Sequence, residues 1–319
     1  MAPASPAVAA DAQTPAREAP SPARHATGDI PCARGGVAAL RFAPAEADTV
    51  SHVDVVALLQ EPSVAAVVGA FAKSDALRDV FAAAEHCGLG LGSWRAVTTA
   101  RSDGSAHSLS VLQADGIGDP DKLECVRAQL ASAKAEPGFT LAPHEGTTEL
   151  ALEGGTRGII VDRCTLVIAS PAWVEPTRER IAGRGRSLLE GPLTLSLART
   201  GEGRAAWLAV RSASASSLSI AGTRADDMVA TLELHGGVAM DVSMQYPGPE
   251  LARSAAAEIG RLLDGFKPMV TNLGVPKTVV DSLRVDGAGA FVNVRARGNV
   301  ADLETISAVI VRIIVTGAP

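Results

Sequence analysis

The chain has 319 residues, a formal net charge of -6, 47% hydrophobic residues and only 3% aromatics. It carries no run of Lys and Arg, so the basic footprint of a nucleic-acid binder is missing, and few rings are present to stack on bases or sugars. The length and apolar content are enough to fill the cores of two ordinary domains, built here from Val, Leu, Ile and Ala.

The start, MAPASPAVAADAQTPAREAPSPARHATGD, has no continuous apolar run behind a basic segment, so no signal peptide is expected. Its Ala and Pro content predicts a disordered tether over residues 1–36, with His25 inside it. Tethers of this kind often follow a cleaved export signal or a lipidated cysteine. An exported, periplasmic or cell-envelope protein is therefore one expectation and a cytoplasmic one the alternative. No transmembrane segment is expected: Ile306 to Val315 is shorter than the roughly 20 apolar residues a span needs and is broken by Arg312.

A first α+β unit is expected over 37–183. It opens with a strand, Val50 to Val56, in which Val50, His52, Asp54 and Val56 share one face. Helices follow over Pro62 to Ala72 and over Ser74 to His86, the second with Ser74 as a candidate N-cap and Leu77, Val80, Phe81 and Ala84 as its apolar stripe. The glycines of H-C-G-L-G-L-G-S-W at 86–94 follow a helix and lead into a strand. A dinucleotide-binding loop needs the reverse order, so Gly88 is read as a C-cap.

From Val97 the chain reads V-T-T-A-R-S-D-G-S-A-H-S-L-S-V-L-Q, and from Val229 it reads V-A-T-L-E-L-H-G-G-V-A-M-D-V-S-M-Q. Aligned without a gap, the two are hairpins with Asp103-Gly104 opposite His235-Gly236, each followed by a Pro-led helix. After the first helix, strands are predicted over Glu149 to Glu153, Gly158 to Asp162 and Thr165 to Ala169, then a helix over Pro171 to Ile181. A linker over 184–203 leads to a second α+β unit, 204–319, with strands at Ala205 to Val210, Ser282 to Asp286 and Ala290 to Arg297 and a helix from Val300 to Ile310. The fold class is α+β: two related units of antiparallel sheet with helices packed on one face. One sheet continuing across the boundary is the alternative to two separate sheets.

Candidate chemistry is sparse. His52 and Asp54, two apart on a strand, are weak catalytic candidates for a general base, against a solvent-facing pair or an Asp54 that caps the next helix. His107, His144 and His235 fall in hairpins or their connections, and no His pair has helical zinc spacing, so no metal and no cofactor are expected. Trp173, in S-P-A-W-V-E-P, is a candidate for ligand stacking, against packing on the sheet. The four cysteines, Cys32, Cys87, Cys125 and Cys164, lack C-x-x-C spacing. Cys87 with Cys125 is the preferred disulfide, and buried free thiols are the alternative.

With Pro44, Ala45, Asp48, Thr49 and Val50, the C-G-L turn at Cys87 and L-V-I-A-S-P-A-W-V at 166–174, the chain resembles a group of uncharacterised exported or lipoprotein-like bacterial proteins with tandem α+β repeats. The resemblance implies an envelope location and carries over no catalytic residue. The leading expectation is a non-enzymatic binding or interaction module for an unknown protein or small-molecule partner, with the groove between the units as its working surface. The alternatives are an enzyme, for instance a hydrolase using His52 and Asp54, and a cytosolic scaffold.

Overall fold

The computed structural model describes residues 32, 36–74, 77–102, 107–133, 138–144, 147–211, 219–220 and 223–316. Most of the expected tether, His25 and the Asp103-Gly104 turn lie outside the described residues.

α1 (Gly36–Leu40) precedes β1 (Thr49–Asp54), and the strand stops two residues earlier than alternation predicts. The cause is local: the Asp54 carboxylate accepts a hydrogen bond from the Ala57 amide at 2.9 Å and so turns Val55 and Val56 into the first turn of α2 (Val55–Gln60). α3 (Pro62–Ala72) follows with Pro at its first turn, then α4 (Arg78–His86). Gly88 has φ 71, the left-handed geometry that ends a helix cheaply without a Cβ.

β2 (Trp94–Arg101) and β3 (Ser108–Ala114) form the first hairpin, and α5 (Pro120–Ser132) starts on Asp119, whose carboxylate accepts from the Asp121 amide. β4 (Phe139–His144), β5 (Thr147–Leu152), β6 (Arg157–Asp162) and β7 (Thr165–Ala169) come next, then α6 (Val174–Ile181) and α7 (Thr194–Leu197). β4 escaped the pattern reading because it carries Pro143, a residue an edge strand tolerates but a central one does not.

β8 (Ala206–Arg211) opens the second half, followed by the small β9 (Ser219–Ile220) and β10 (Thr223–Arg224) pair and the hairpin β11 (Asp227–Glu233) and β12 (Val238–Gln245). α8 (Pro249–Asn272), α9 (Lys277–Ser282), β13 (Arg284–Ala288), β14 (Phe291–Gly298) and α10 (Val300–Thr316) complete the described chain. α10 starts on a reciprocal pair in which the Asn299 amide donates to the Asp302 carboxylate and the Asp302 amide to the Asn299 side chain.

The strands form one antiparallel sheet of 12, ordered β13-β14-β12-β11-β8-β1-β2-β3-β7-β6-β5-β4. The sheet therefore continues across the expected boundary, with β1 and β8 paired at the seam and His52 opposite Trp207. Outward from that seam the order is mirrored: β1-β2-β3-β7-β6 to one side and β8-β11-β12-β14-β13 to the other. The gapless alignment of Val97 with Val229 joins opposite faces. Val229 lies with Val50 and Ala209 in the central core, whereas Val97 pairs with Val53 on the other face. In the second strands the same alignment keeps the face: Val111 of β3 lies in the central core, and Ser243 of β12 lies opposite Val229, so only β2 and β11 are out of that register.

On one face α4 and α5 cover β3, β5 and β7 through Ala83, Leu123, Val126 and Leu130, and α8 covers β12 and β14 through Ala252, Ala255 and Ile259. The other face is also covered over the centre, where α1, Trp173, α6 and the 184–203 stretch close on Val50, Val111, Val167 and Ala209. Leu188 and Leu193 of that stretch are 0% exposed, so the residues read as a linker form part of this cover. Toward β13 no described helix covers this second face, which carries Asp241, Arg295 and Arg297 as an exposed ion-pair network.

Candidate functional site

The side chains of His52 and Asp54 share a face but not a partner. His52 is 6% exposed, stacked on Trp207 with ring centroids 5.4 Å apart, and its Nδ1 lies 2.8 Å from Thr98 Oγ1 in a shared hydrogen bond. Burial lowers its pKa, and the Asp54 charge opposes that shift in part. Asp54 is committed to the α2 cap. The arrangement thus gives a buried polar contact in the sheet centre, with His52 outside the cavity at the seam.

Trp173 is 2% exposed and packs in the central core, with the His107 ring 6.1 Å from its own. A ligand has no face of this indole to reach. Cys87 is bonded to Cys125 and Cys32 to Cys164. Cys32, Asp115 and Cys164 have ligand atoms close enough for a metal, but the two sulfurs are bonded to each other and offer no thiolate.

Two features remain that have working geometry. The first is a cavity of about 320 Å³ at one end of the β1–β8 seam. Ala57, Gln60 and Glu61 from the first half and Glu233, Leu234 and His235 from the second line it, so it lies between the halves. Arg204 forms an ion pair with Glu233 beside it. No sequence motif marks this cavity, because its walls come together only when β8 pairs with β1.

The second is apolar and exposed. α3 contains no charged residue over its 11 positions, yet Ala72 is its one buried residue; it packs on α10, with α2 behind it. Among the described side chains of α10, Asp302, Leu303 and Ser307 are buried, while Ile310 is 40% exposed. α8 behaves likewise: its first half is buried on the sheet, whereas Leu262, Phe266 and Met269 and the following Leu273 form an exposed stripe at spacings of four, three and four. Gly274, just past α8, lies against Val309 of α10, which brings the end of the stripe to the α3–α10 pair. Among the described residues no helix is long and apolar enough to cross a membrane.

No family model matches the chain and no curated protein matches it. Among solved structures it is similar to the treponemal protein TP0453: crystal form III has 12% identity and a TM-score of 0.53, covering 85% of this chain and 97% of that one. Crystal form I of the same protein has 13% identity and a TM-score of 0.49, covering 85% and 96%. At this identity the likeness is one of fold.

Proposed function

We propose that this chain is a non-enzymatic, exported interaction module of two related halves that docks its α3–α10 pair and the free end of α8 on a lipid surface. The observation that carries the reading is an uncharged α3 in which Ala72 alone is buried and Phe71 is 52% exposed, packed beside α10 with Ile310 at 40% exposure. Soluble chains seldom leave contiguous apolar helix faces in water without a use for them. At 1.5 Å per residue α3 is about 16 Å long, close to one leaflet of a hydrocarbon core about 30 Å thick. The pair would enter one leaflet without spanning the bilayer. Two disulfides that use all four cysteines support an oxidising compartment.

Because the docking face is apolar and the chain carries a net charge of -6, attraction to anionic headgroups plays no part. Binding should survive high salt and favour zwitterionic lipid. Flotation with phosphatidylcholine vesicles tests this. The wild-type chain should rise with the vesicles at low and high salt, and Phe71→Asp and Ile310→Asp should each stay behind with unchanged circular dichroism. A wild-type chain that never floats, or aspartate variants that float equally well, would sink the reading.

A further inference from the structure

We propose that the seam cavity binds a primary ammonium group on a short carbon chain, either the headgroup of an ethanolamine phospholipid or a small free amine. The headgroup form rests on the lipid-docking reading, and the amine form stands without it.

The cavity is polar and anionic, with a small apolar floor. No Lys or Arg lines it. Of its two carboxylates, Glu233 is already paired with Arg204, whereas Glu61 accepts one hydrogen bond from Ser63 Oγ at 3.2 Å and pairs with no cation among the described residues. A cation that enters therefore meets an uncompensated charge at Glu61, with the Gln60 carbonyl oxygen and Glu233 as further acceptors. No Trp, Tyr or Phe lines the space and His235 is its one ring, so a quaternary ammonium, which has no N–H and is best held by the faces of such rings, is poorly served. A primary ammonium has three donors for three acceptors. Ala57 and Leu234 supply the floor for its carbon chain, and a volume of about 320 Å³, at the low end for ligand pockets, admits it.

Position joins this site to the apolar pair. Glu61 is the residue between α2 and α3, so the cavity opens at the foot of α3. Ala57 and Leu234 share a core cluster with Leu303 of α10 and Val64 of α3, which makes the cavity floor continuous with the base of the pair. If the pair enters a leaflet, its foot lies at headgroup depth.

The test titrates ethanolammonium chloride into the ¹⁵N-labelled full chain without lipid and follows the amide signals of His235 and Gly236. Saturable shifts are expected, absent with choline chloride and with ethylene glycol. Glu61→Gln should weaken them at least about tenfold, as loss of a hydrogen bond to a charged group does. Ala57→Leu, which fills the cavity, should abolish them while flotation on phosphatidylcholine persists. No ethanolammonium-specific shift, or one retained in both variants, overturns the site. A second arm compares flotation on phosphatidylcholine vesicles with and without phosphatidylethanolamine. A wild-type preference for phosphatidylethanolamine that Glu61→Gln removes identifies the headgroup as the source; amine shifts without that preference identify a soluble amine. Should no vesicle float at all, the lipid reading fails while the amine titration still decides the cavity.

Discussion

On the β1 side of the seam, helices close both faces of the sheet, and two disulfides tie α4 to α5 and Cys32 to the β6–β7 turn. On the β8 side α8 closes one face, the other presents Asp241, Arg295 and Arg297 to water, and no cysteine occurs after Cys164. The first five strands out from the seam follow the same order on both sides, and the β1 side adds β5 and β4. In the first half α4 and α5 cover the sheet through Ala83, Leu123, Val126 and Leu130, whereas Phe71 of α3 in the same half, Leu262, Phe266 and Met269 of α8 and Ile310 of α10 are exposed. One topology thus carries both a disulfide-tied anchor around α4 and α5 and an apolar surface on α3, α8 and α10.

The largest expected effect breaks the anchor. Cys32 and Cys164 are 132 residues apart, and replacing both with Ser should cost about 5 kcal/mol in the chain-entropy account of cross-links. The bridge between Cys87 and Cys125, 38 apart, is worth about 4 kcal/mol in the same account. Denaturant unfolding measures the loss, and hydrogen exchange should place it in β3, β6 and β7 and spare α8 and β14. Equal loosening of both halves would remove the contrast.

Ion pairs sharpen the comparison at a smaller scale. Arg178 donates to both oxygens of Glu149, at 3.0 and 2.7 Å, and the Glu149 side chain is 5% exposed. Arg178→Met would strand a buried carboxylate and should cost about 3 kcal/mol. Arg297 makes a similar two-oxygen contact with Asp241 on the second face, where the side chains are 49% and 35% exposed. Arg297→Met should cost less than about 1 kcal/mol, and comparable losses from both would show that the second face is covered in solution.

Phe71→Asp should change stability by no more than about 0.5 kcal/mol while abolishing vesicle flotation, since this ring is 52% exposed and contributes little to the core. A large stability loss would mean that the α3–α10 pair belongs to the anchor instead.

The smallest effect is at the seam. Burial lowers the His52 pKa in the folded chain, so just below its ordinary value the unfolded state binds the proton and the folded state does not. Its contribution to stability is complete above about pH 6.5 and falls as pH drops toward the lowered folded value. Comparing the denaturant midpoints of wild type and His52→Gln at about pH 7.5 and pH 5.5 should show a steeper acid loss in wild type. Parallel losses would place His52 in contact with water.

Much of the fold was legible in the residues because much of it is local. Pro62 and Pro120 at helix starts, Gly88 past a helix end and the alternation in β2, β3 and β7 each depend on neighbours within a turn or a strand. At Asp54 a helix cap competes with strand alternation, and the helix wins because one carboxylate satisfies an otherwise unpaired amide. The candidate site was far less legible. His52, Asp54 and Trp173 stood out as residue types, but a type does not state its exposure, and the structure places two in the core and one in a cap.

What the sequence determined by itself is most of the longer helices and strands, the α+β class and the absence of charge in α3, all set by composition and short-range spacing. The pairing of β1 with β8, the continuous sheet and the change of face between β2 and β11 were decided only in three dimensions, because alternating strands are compatible with many partners and the choice is made by burial on both faces at once. The seam cavity follows from that pairing. Glu61 and His235 are 174 positions apart, and only the joining of the halves brings them to one wall.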